Sequence, residues 1–229
     1  MSTVFVGNGI SNKCKNSIEK MGYRTVLLPD YSRLSSAVCS HADMIMFFDG
    51  KRLIMQKDYF EENSHLFEGI DLELCLTEED IRSNYPFDIA FNAVLTNGGI
   101  LFSKTEYTSE AVKAAARQLV KVNQGYTACS TCRVADKAFI TADEGLYKVY
   151  TENGIDCLKI SQGAIELPGC NYGFIGGASV VLGDMICFFG RIEDHPDYLS
   201  VKNFAKKYGK ELISLSDEKI TDIGGAVVV

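Results

Sequence analysis

Two hydrophobic rhythms alternate along this chain. Thr3-Val4-Phe5-Val6 is a short apolar run of strand length, and Asn12 to Met21 carries its apolar positions at helical spacing. Gly22 follows, then the strand-like Arg24-Thr25-Val26-Leu27-Leu28. The order helix, Gly, strand returns three times. Tyr59 to Phe67 leads to Gly69 and Leu72 to Leu76. Leu146 to Glu152 leads to Gly154 and Asp156 to Ile160. Tyr198 to Tyr208 leads to Gly209 and Glu211 to Leu215. A glycine just past a helix is the residue that takes a left-handed stop most easily. A fifth helix, Ser109 to Leu119, is rich in Ala, lacks the Gly and runs into Val120-Lys121-Val122. Gly22 and Gly209 bracket four intervals, so the mean repeat is about 47 residues, longer than the helical solenoid repeats.

A hairpin precedes each later helix. Met44 to Phe48 and Arg52 to Met55 flank Asp49-Gly50. Ile89 to Leu95 and Ile100 to Phe102 flank Asn97-Gly98-Gly99. Arg133-Val134 and Ala138 to Ile140 flank Ala135-Asp136. Ser179 to Leu182 and Met185 to Phe189 flank Gly183-Asp184. Asp-Gly and Asn-Gly favour tight turns because they tolerate positive φ. The repeating unit is therefore strand, strand, helix, strand. The chain opens on one strand and a helix and ends on a lone strand, Ala226 to Val229. Pairing that last strand with Thr3 to Val6 completes a fifth unit and removes open sheet edges. The expectation is an α/β fold: a five-fold pseudo-symmetric propeller of ββαβ units, in one domain over residues 1–229.

Such a ring, together with Gly125-Tyr126-Thr127-Ala128-Cys129-Ser130, Tyr172 to Ala178 and Leu215 to Gly225, resembles the pentein superfamily over nearly the whole chain. Within it, the chain resembles an uncharacterised family assigned to that fold. The superfamily holds guanidino-group-modifying enzymes, such as dimethylarginine hydrolase and arginine and agmatine deiminases. It also holds a ribosome anti-association initiation factor that is not an enzyme. The resemblance thus implies the fold and leaves the activity open.

Composition narrows the partners. Lys and Arg total 23 against 30 Asp and Glu, a net charge of −7 in 229 residues. That balance argues against a DNA-binding protein. No apolar run approaches the ~18 residues of a membrane helix, and the start lacks the pattern of a secretory signal. The eight cysteines lie mostly in apolar surroundings, as expected of reduced thiols in the cytoplasm. A small-molecule ligand is expected, with no cofactor and no metal. Nothing in the sequence speaks to oligomeric state.

In a closed ring, the segments that open each hairpin converge near the axis. They contain His41 and Asp43, then Asp88 to Asn92, then Cys129 to Cys132, then Gly176 and Gly177, then Asp222 to Gly225. A thiol, a His and carboxylates can attack an electrophilic carbon, move protons and clamp a cationic guanidinium. On that reading Cys129 is the nucleophile, ionised near neutral pH, His41 the proton shuttle and Asp43 a clamp or an orienting group. Asp88, Asn92 and Asp222 contact substrate, and Gly176 and Gly177 leave room for it. Cys129 is preferred to Cys132, which falls inside a strand. The competing readings are a hydrogen-bonded structural His41 and two ordinary buried thiols. A redox pair or a metal site fits Cys129-Ser130-Thr131-Cys132 less well, because a strand follows it and no second pair exists.

His65 sits in a helix away from the axis, and His195 precedes Pro196 at a turn. Gly7-Asn8-Gly9-Ile10-Ser11-Asn12 suits a helix cap better than a dinucleotide turn, since the third glycine is missing. Lys202, Lys206, Lys207 and Lys210 suit a solvated helix face, with RNA or an acidic partner as the alternative. Catalytic penteins carry a Cys in the last repeat with a His just before it. Here Asp222 to Val229 holds neither. The two readings are therefore a thiol-dependent hydrolase or transferase acting on a guanidino or amidino small molecule, and a non-catalytic pentein that binds a small ligand or a macromolecule.

Overall fold

Helices in this chain end where a glycine lets the backbone turn left-handed. Gly22, Gly69, Gly154 and Gly209 have φ of 88, 74, 74 and 68°. Each sits just before the third strand of its unit, which is the punctuation the sequence repeat requires. The computed structural model describes residues 1–229.

The first elements are β1 (Thr3–Gly7), α1 (Asn12–Lys20) and β2 (Arg24–Leu28). Ser11 caps α1, its hydroxyl accepting from the Cys14 N–H at 3.3 Å. Next come α2 (Ala42–Ile45), β3 (Met46–Phe48), β4 (Arg52–Gln56), α3 (Lys57–Asn63) and β5 (Glu73–Thr77). The third unit has β6 (Val94–Leu95), β7 (Ile100–Ser103), α4 (Glu110–Lys113) and β8 (Gln118–Lys121). The fourth has β9 (Cys132–Ala135), β10 (Ala138–Thr141), α5 (Glu144–Glu152) and β11 (Asp156–Lys159). The fifth has β12 (Ser179–Leu182), β13 (Met185–Phe188), α6 (Tyr198–Lys207) and β14 (Glu211–Ser214), and β15 (Ala226–Val228) ends the chain.

Five three-stranded sheets result. In four of them a hairpin pair runs antiparallel, and its second strand pairs parallel with the strand beyond the helix. β15 supplies the missing strand of the first sheet. It runs antiparallel to β1, with Val4 opposite Val228 and Val6 opposite Ala226. The expected ββαβ ring and its closure are therefore present. Apolar clusters fill the joints between neighbouring sheets. Val94, Phe102, Phe139 and Tyr150 join the third sheet to the fourth. Ile140, Ala178, Ile186 and Val201 join the fourth to the fifth. Val4, Val6, Val180 and Cys187 join the fifth to the first. Phe5, Ile54, Phe91 and Leu101 link the first three.

Two of the local departures from the sequence pattern fall next to the axis, and a third lies in the helix of the third unit. Met44 and Ile45 lie in the single turn α2, not in the strand. Ile89 to Ala93 form a turn, leaving only Val94–Leu95 as strand. The Ala-rich helix shrinks to Glu110–Lys113, because the chain must reach the sheet again by Gln118. The first two segments contain or adjoin the buried polar groups His41, Asp88 and Asn92, and the axial packing overrides their local apolar pattern. No helix is long and apolar enough to cross a membrane.

Candidate active site

The inner strands β3, β6, β9, β12 and β15 surround a channel of about 570 Å³ along the ring axis. Its walls are mostly apolar, with Phe48, Leu95, Val181 and Val228 among them. Asp43, Ala128, Thr131, Gly176 and Gly224 form its floor, at the starts of these strands. Asp136 and Lys210 lie at the hairpin-turn end.

Three sequence-expected residues meet at the floor. His41, Asp43 and Cys129 each place a donor atom within 4.8 Å of the others. The Cys129 thiol donates to Asp43 Oδ2 at 2.8 Å. Asp43 is half-buried and borders the channel. His41 and Cys129 are buried behind it. His41 is held at the end of a turn by its N–H to Val38 C=O, and Gly224 packs against its Cβ. Cys129 lies in a tight turn, with Ser130 N–H bonded to Tyr126 C=O and Thr131 N–H to Ala128 C=O. Neither His41 Nδ1 nor Asp43 Oδ1 has a partner.

The other expected residues play different parts. Asn92 serves the thiol directly. Its Nδ2 donates to Cys129 Sγ at 3.2 Å, and its Oδ1 accepts from the Ala128 N–H at 2.7 Å. Asp222 is buried, its two oxygens taken by the Gly224 and Phe174 N–H groups at 2.9 and 2.8 Å. Asp88 accepts from the Tyr126 hydroxyl at 2.8 Å and does not border the channel. The two glycines were expected to leave room for substrate, and here the structure differs. The open side of Gly176 faces the carbonyls of Ala128, Cys129 and Thr131, while that of Gly177 faces the Asp222 carboxylate. Their missing side chains admit protein atoms.

Electrostatics follow from burial without a compensating cation. Burial pushes the Asp43 carboxyl up to about 8, with the Asp222 charge adding to the rise. Burial lifts Asp222 to about 6 against its two N–H donors. Burial lowers His41 to about 4. The Cys129 thiol is driven well above its ordinary value, first by burial and then by the charges of Asp43 and Asp222. The ligand-free site therefore keeps Cys129 protonated at neutral pH, correcting the thiolate expected from the sequence. Cys132 points instead into the core beside Ile140 and Ala178. All eight cysteines are free thiols.

A model of a protein family described as a family of unknown function (DUF6873) matches residues 5–227. The chain belongs to this family. No curated protein matches it in sequence. Among solved structures, this DUF6873 member resembles DDAH from Pseudomonas aeruginosa complexed with citrulline. The TM-score is 0.57 at 8% identity, over 98% of this chain and 95% of that one. It also resembles the agmatine deiminase of C. jejuni, with TM-score 0.57 at 9% identity over 93% and 86% of the two chains. A third relative is the inosamine-phosphate amidinotransferase of Streptomyces griseus, with TM-score 0.54 at 12% identity over 92% and 74%. At these identities the likeness establishes the pentein fold.

Sequence reasoning missed one residue of this DUF6873 site. Arg133, on β9, lines the channel with an exposed side chain and no acid in ion-pair range. The available signal was a lone charge inside the short strand Cys132–Ala135. Lys210, read as part of a solvated helix face, instead lies at the channel mouth and donates to Gly183 C=O at 2.8 Å and to Asp184.

Proposed function

We propose that this protein is a thiol-dependent hydrolase or transferase acting on a guanidino or amidino group of a small molecule. The observation that carries the proposal is Cys129 Sγ at 2.8 Å from Asp43, which borders the axial channel, with His41 within 4.8 Å and both partners buried directly behind it. The likeness in fold to an agmatine deiminase and an amidinotransferase supports the substrate class.

An amidinium is planar, cationic and rich in N–H donors. Beside Asp43 it supplies the positive charge that the floor lacks, and it accounts for the unpartnered Oδ1. Its charge draws Asp43 and Cys129 toward their ionised forms. Cys129 passes its proton to His41, and the thiolate adds to the amidino carbon. The bond from that carbon to the leaving nitrogen breaks, and the nitrogen takes the proton from His41. An S-linked amidino adduct remains. Water then adds to the same carbon while giving a proton to His41. The C–S bond breaks, sulfur leaves with its electron pair and takes up the adduct's hydroxyl proton, the neutral ureido product departs, and His41 returns its proton to solvent. An amine in place of water gives amidine transfer. Asn92 Nδ2, already on the sulfur, favours its anion in each step.

Chloroacetamidine, an electrophile of amidinium shape, tests this in metal-free protein. Exposed Cys170 should react fastest with neutral iodoacetamide. Cys129 should show the largest ratio of chloroacetamidine to iodoacetamide labelling, and Asp43→Asn should abolish that preference. Mass spectrometry of the peptide containing Cys129 and Cys132 gives the ratio. A ratio at Cys129 no greater than at Cys170, unchanged by His41→Ala, would overturn the enzyme reading in favour of a non-catalytic ligand-binding pentein.

A further inference from the structure

Asp43 on the channel floor and the buried side chains of His41 and Cys129 behind it bring together one carboxylate, one imidazole and one sulfur donor, from segments up to 86 residues apart. Two acceptor atoms there are buried and unpartnered, His41 Nδ1 and Asp43 Oδ1. His41 is only 4% exposed, so water does not satisfy its ring from bulk solvent. A buried polar atom without a partner costs about 1–3 kcal/mol. None of the ion pairs in the protein includes Asp43, so no side-chain cation balances this cluster.

We propose that His41, Asp43 and Cys129 form a binding site for a divalent transition ion of the Zn²⁺ class, with a fourth position open to the channel. Nitrogen, oxygen and thiolate together suit Zn²⁺ and its neighbours, whereas Mg²⁺ and Ca²⁺ need shells of oxygen. With bonds of about 2.0–2.3 Å, tetrahedral ligands lie roughly 3.3–3.8 Å from one another. The present donors span 2.8 Å for the S–O pair to a limit of 4.8 Å overall. These separations bracket the tetrahedral range. The supporting shell is already built. Asn92 donates to the sulfur, and the Asn92 carbonyl is itself fixed by the Ala128 N–H. The neighbouring Cys132 takes no part, because its side chain lies in the core.

Ion binding displaces the proton of Cys129 and leaves a Zn–S bond, so affinity rises with pH. It also occupies the side chains that would hold an amidinium, and the two ligands exclude each other. The inference does not depend on the amidino reading, since the ion is detected without any substrate.

The test is a Co²⁺ titration of chelator-stripped full-length protein. One equivalent should produce a thiolate-to-cobalt absorption in the near ultraviolet and the visible bands of a four-coordinate ion. Zn²⁺ should abolish both. Cys129→Ser should remove the near-ultraviolet band, while Cys132→Ser keeps it. His41→Gln and Asp43→Asn should each weaken binding at least tenfold, with circular dichroism showing which variants are folded. Zn²⁺ should also shield Cys129 from alkylation. Absence of the thiolate band at one equivalent overturns the proposal. So does unchanged affinity in a folded His41→Gln or Asp43→Asn protein. A cobalt band without chloroacetamidine preference leaves the metal site standing and defeats the amidino reading. The reverse result does the opposite.

Discussion

Five segments occupy equivalent places at the ring axis, and they divide into two kinds. Those opening β3, β6 and β9 present His41 with Asp43, Asn92, and Cys129 as side chains facing one another. Those opening β12 and β15 present backbone. Gly176 lies against the carbonyls of the Cys129 turn, Gly177 N–H donates to Cys129 C=O at 2.8 Å, and Gly225 N–H donates to Gly177 C=O at 2.7 Å. The axis of a small ring has no room for five large side chains. Glycines on one side let main chain approach main chain, and that rigid half holds the reactive half in place. Asp222 is charged like Asp43 yet belongs to the rigid half, since both its oxygens are spent on N–H groups.

The division can be broken from either side. Gly177→Ala should have the largest effect on the fold, because its Cβ would overlap the Asp222 carboxylate. A loss of about 3 kcal/mol or more is expected, read by urea unfolding. Cys129→Ser should remove amidine-directed labelling while leaving a folded protein. Asp43→Asn should lower that labelling ten- to a hundred-fold with little loss of stability. Asp222→Asn should do the reverse. An amide still accepts through one oxygen only, so one of two buried N–H donors is orphaned at about 1–3 kcal/mol. If Asp222→Asn silences labelling without destabilising the protein, the division is wrong.

Stability should also depend on pH in a way that assigns Asp43. Its folded value of about 8 lies above its ordinary carboxylate value. The folded state therefore holds the proton more tightly, and stability falls as pH rises toward 8. His41, lowered to about 4, acts in the opposite sense but only below about pH 6.5, where the unfolded imidazole gains its proton. Asp222, raised to about 6, has finished titrating near the same point. Between about pH 7 and 8 Asp43 should contribute to the decline together with the thiols that burial raises, and the part that disappears in Asp43→Asn is its own. Denaturant midpoints measured with a chelator present should fall over that range and stay flatter in Asp43→Asn. Equal slopes would reassign the titration. The smallest effect is expected at Gly9, whose Cβ would meet nothing within 4 Å. Gly9→Ala should stay within about 0.5 kcal/mol of the parent.

The ring was legible because its signals are local. A glycine after each main helix and a turn pair inside each hairpin carry the backbone conformation in a few residues. The reactive side was partly legible, since counting back from the turns leads to His41, Asp43, Asn92 and Cys129. What those residues do to one another was not. Asn92 was expected to touch substrate and instead holds sulfur, a distinction set by a fold that brings it beside the Cys129 turn. Gly176 and Gly177 were read as empty space, but only the packed ring reveals the carbonyls and carboxylate that fill it. Arg133 escaped notice because its strand is read by alternation alone, while the channel behind it is a property of five strands together.

The pairing of β15 with β1 brings the two ends of this chain into one hydrogen-bonded ladder. Thr3 N–H donates to Val229 C=O at 2.8 Å, and Val229 N–H donates back to Thr3 C=O at 2.9 Å. The order in which the five units are written is thus separable from the object they build. A short linker from Val229 to Thr3, with a new opening at the Asp49-Gly50 turn, would keep every sheet neighbour and every residue of the channel floor. In such a rearranged gene, the seam of the circle would fall between β3 and β4, and the thiol, imidazole and carboxylate would still meet at its hub.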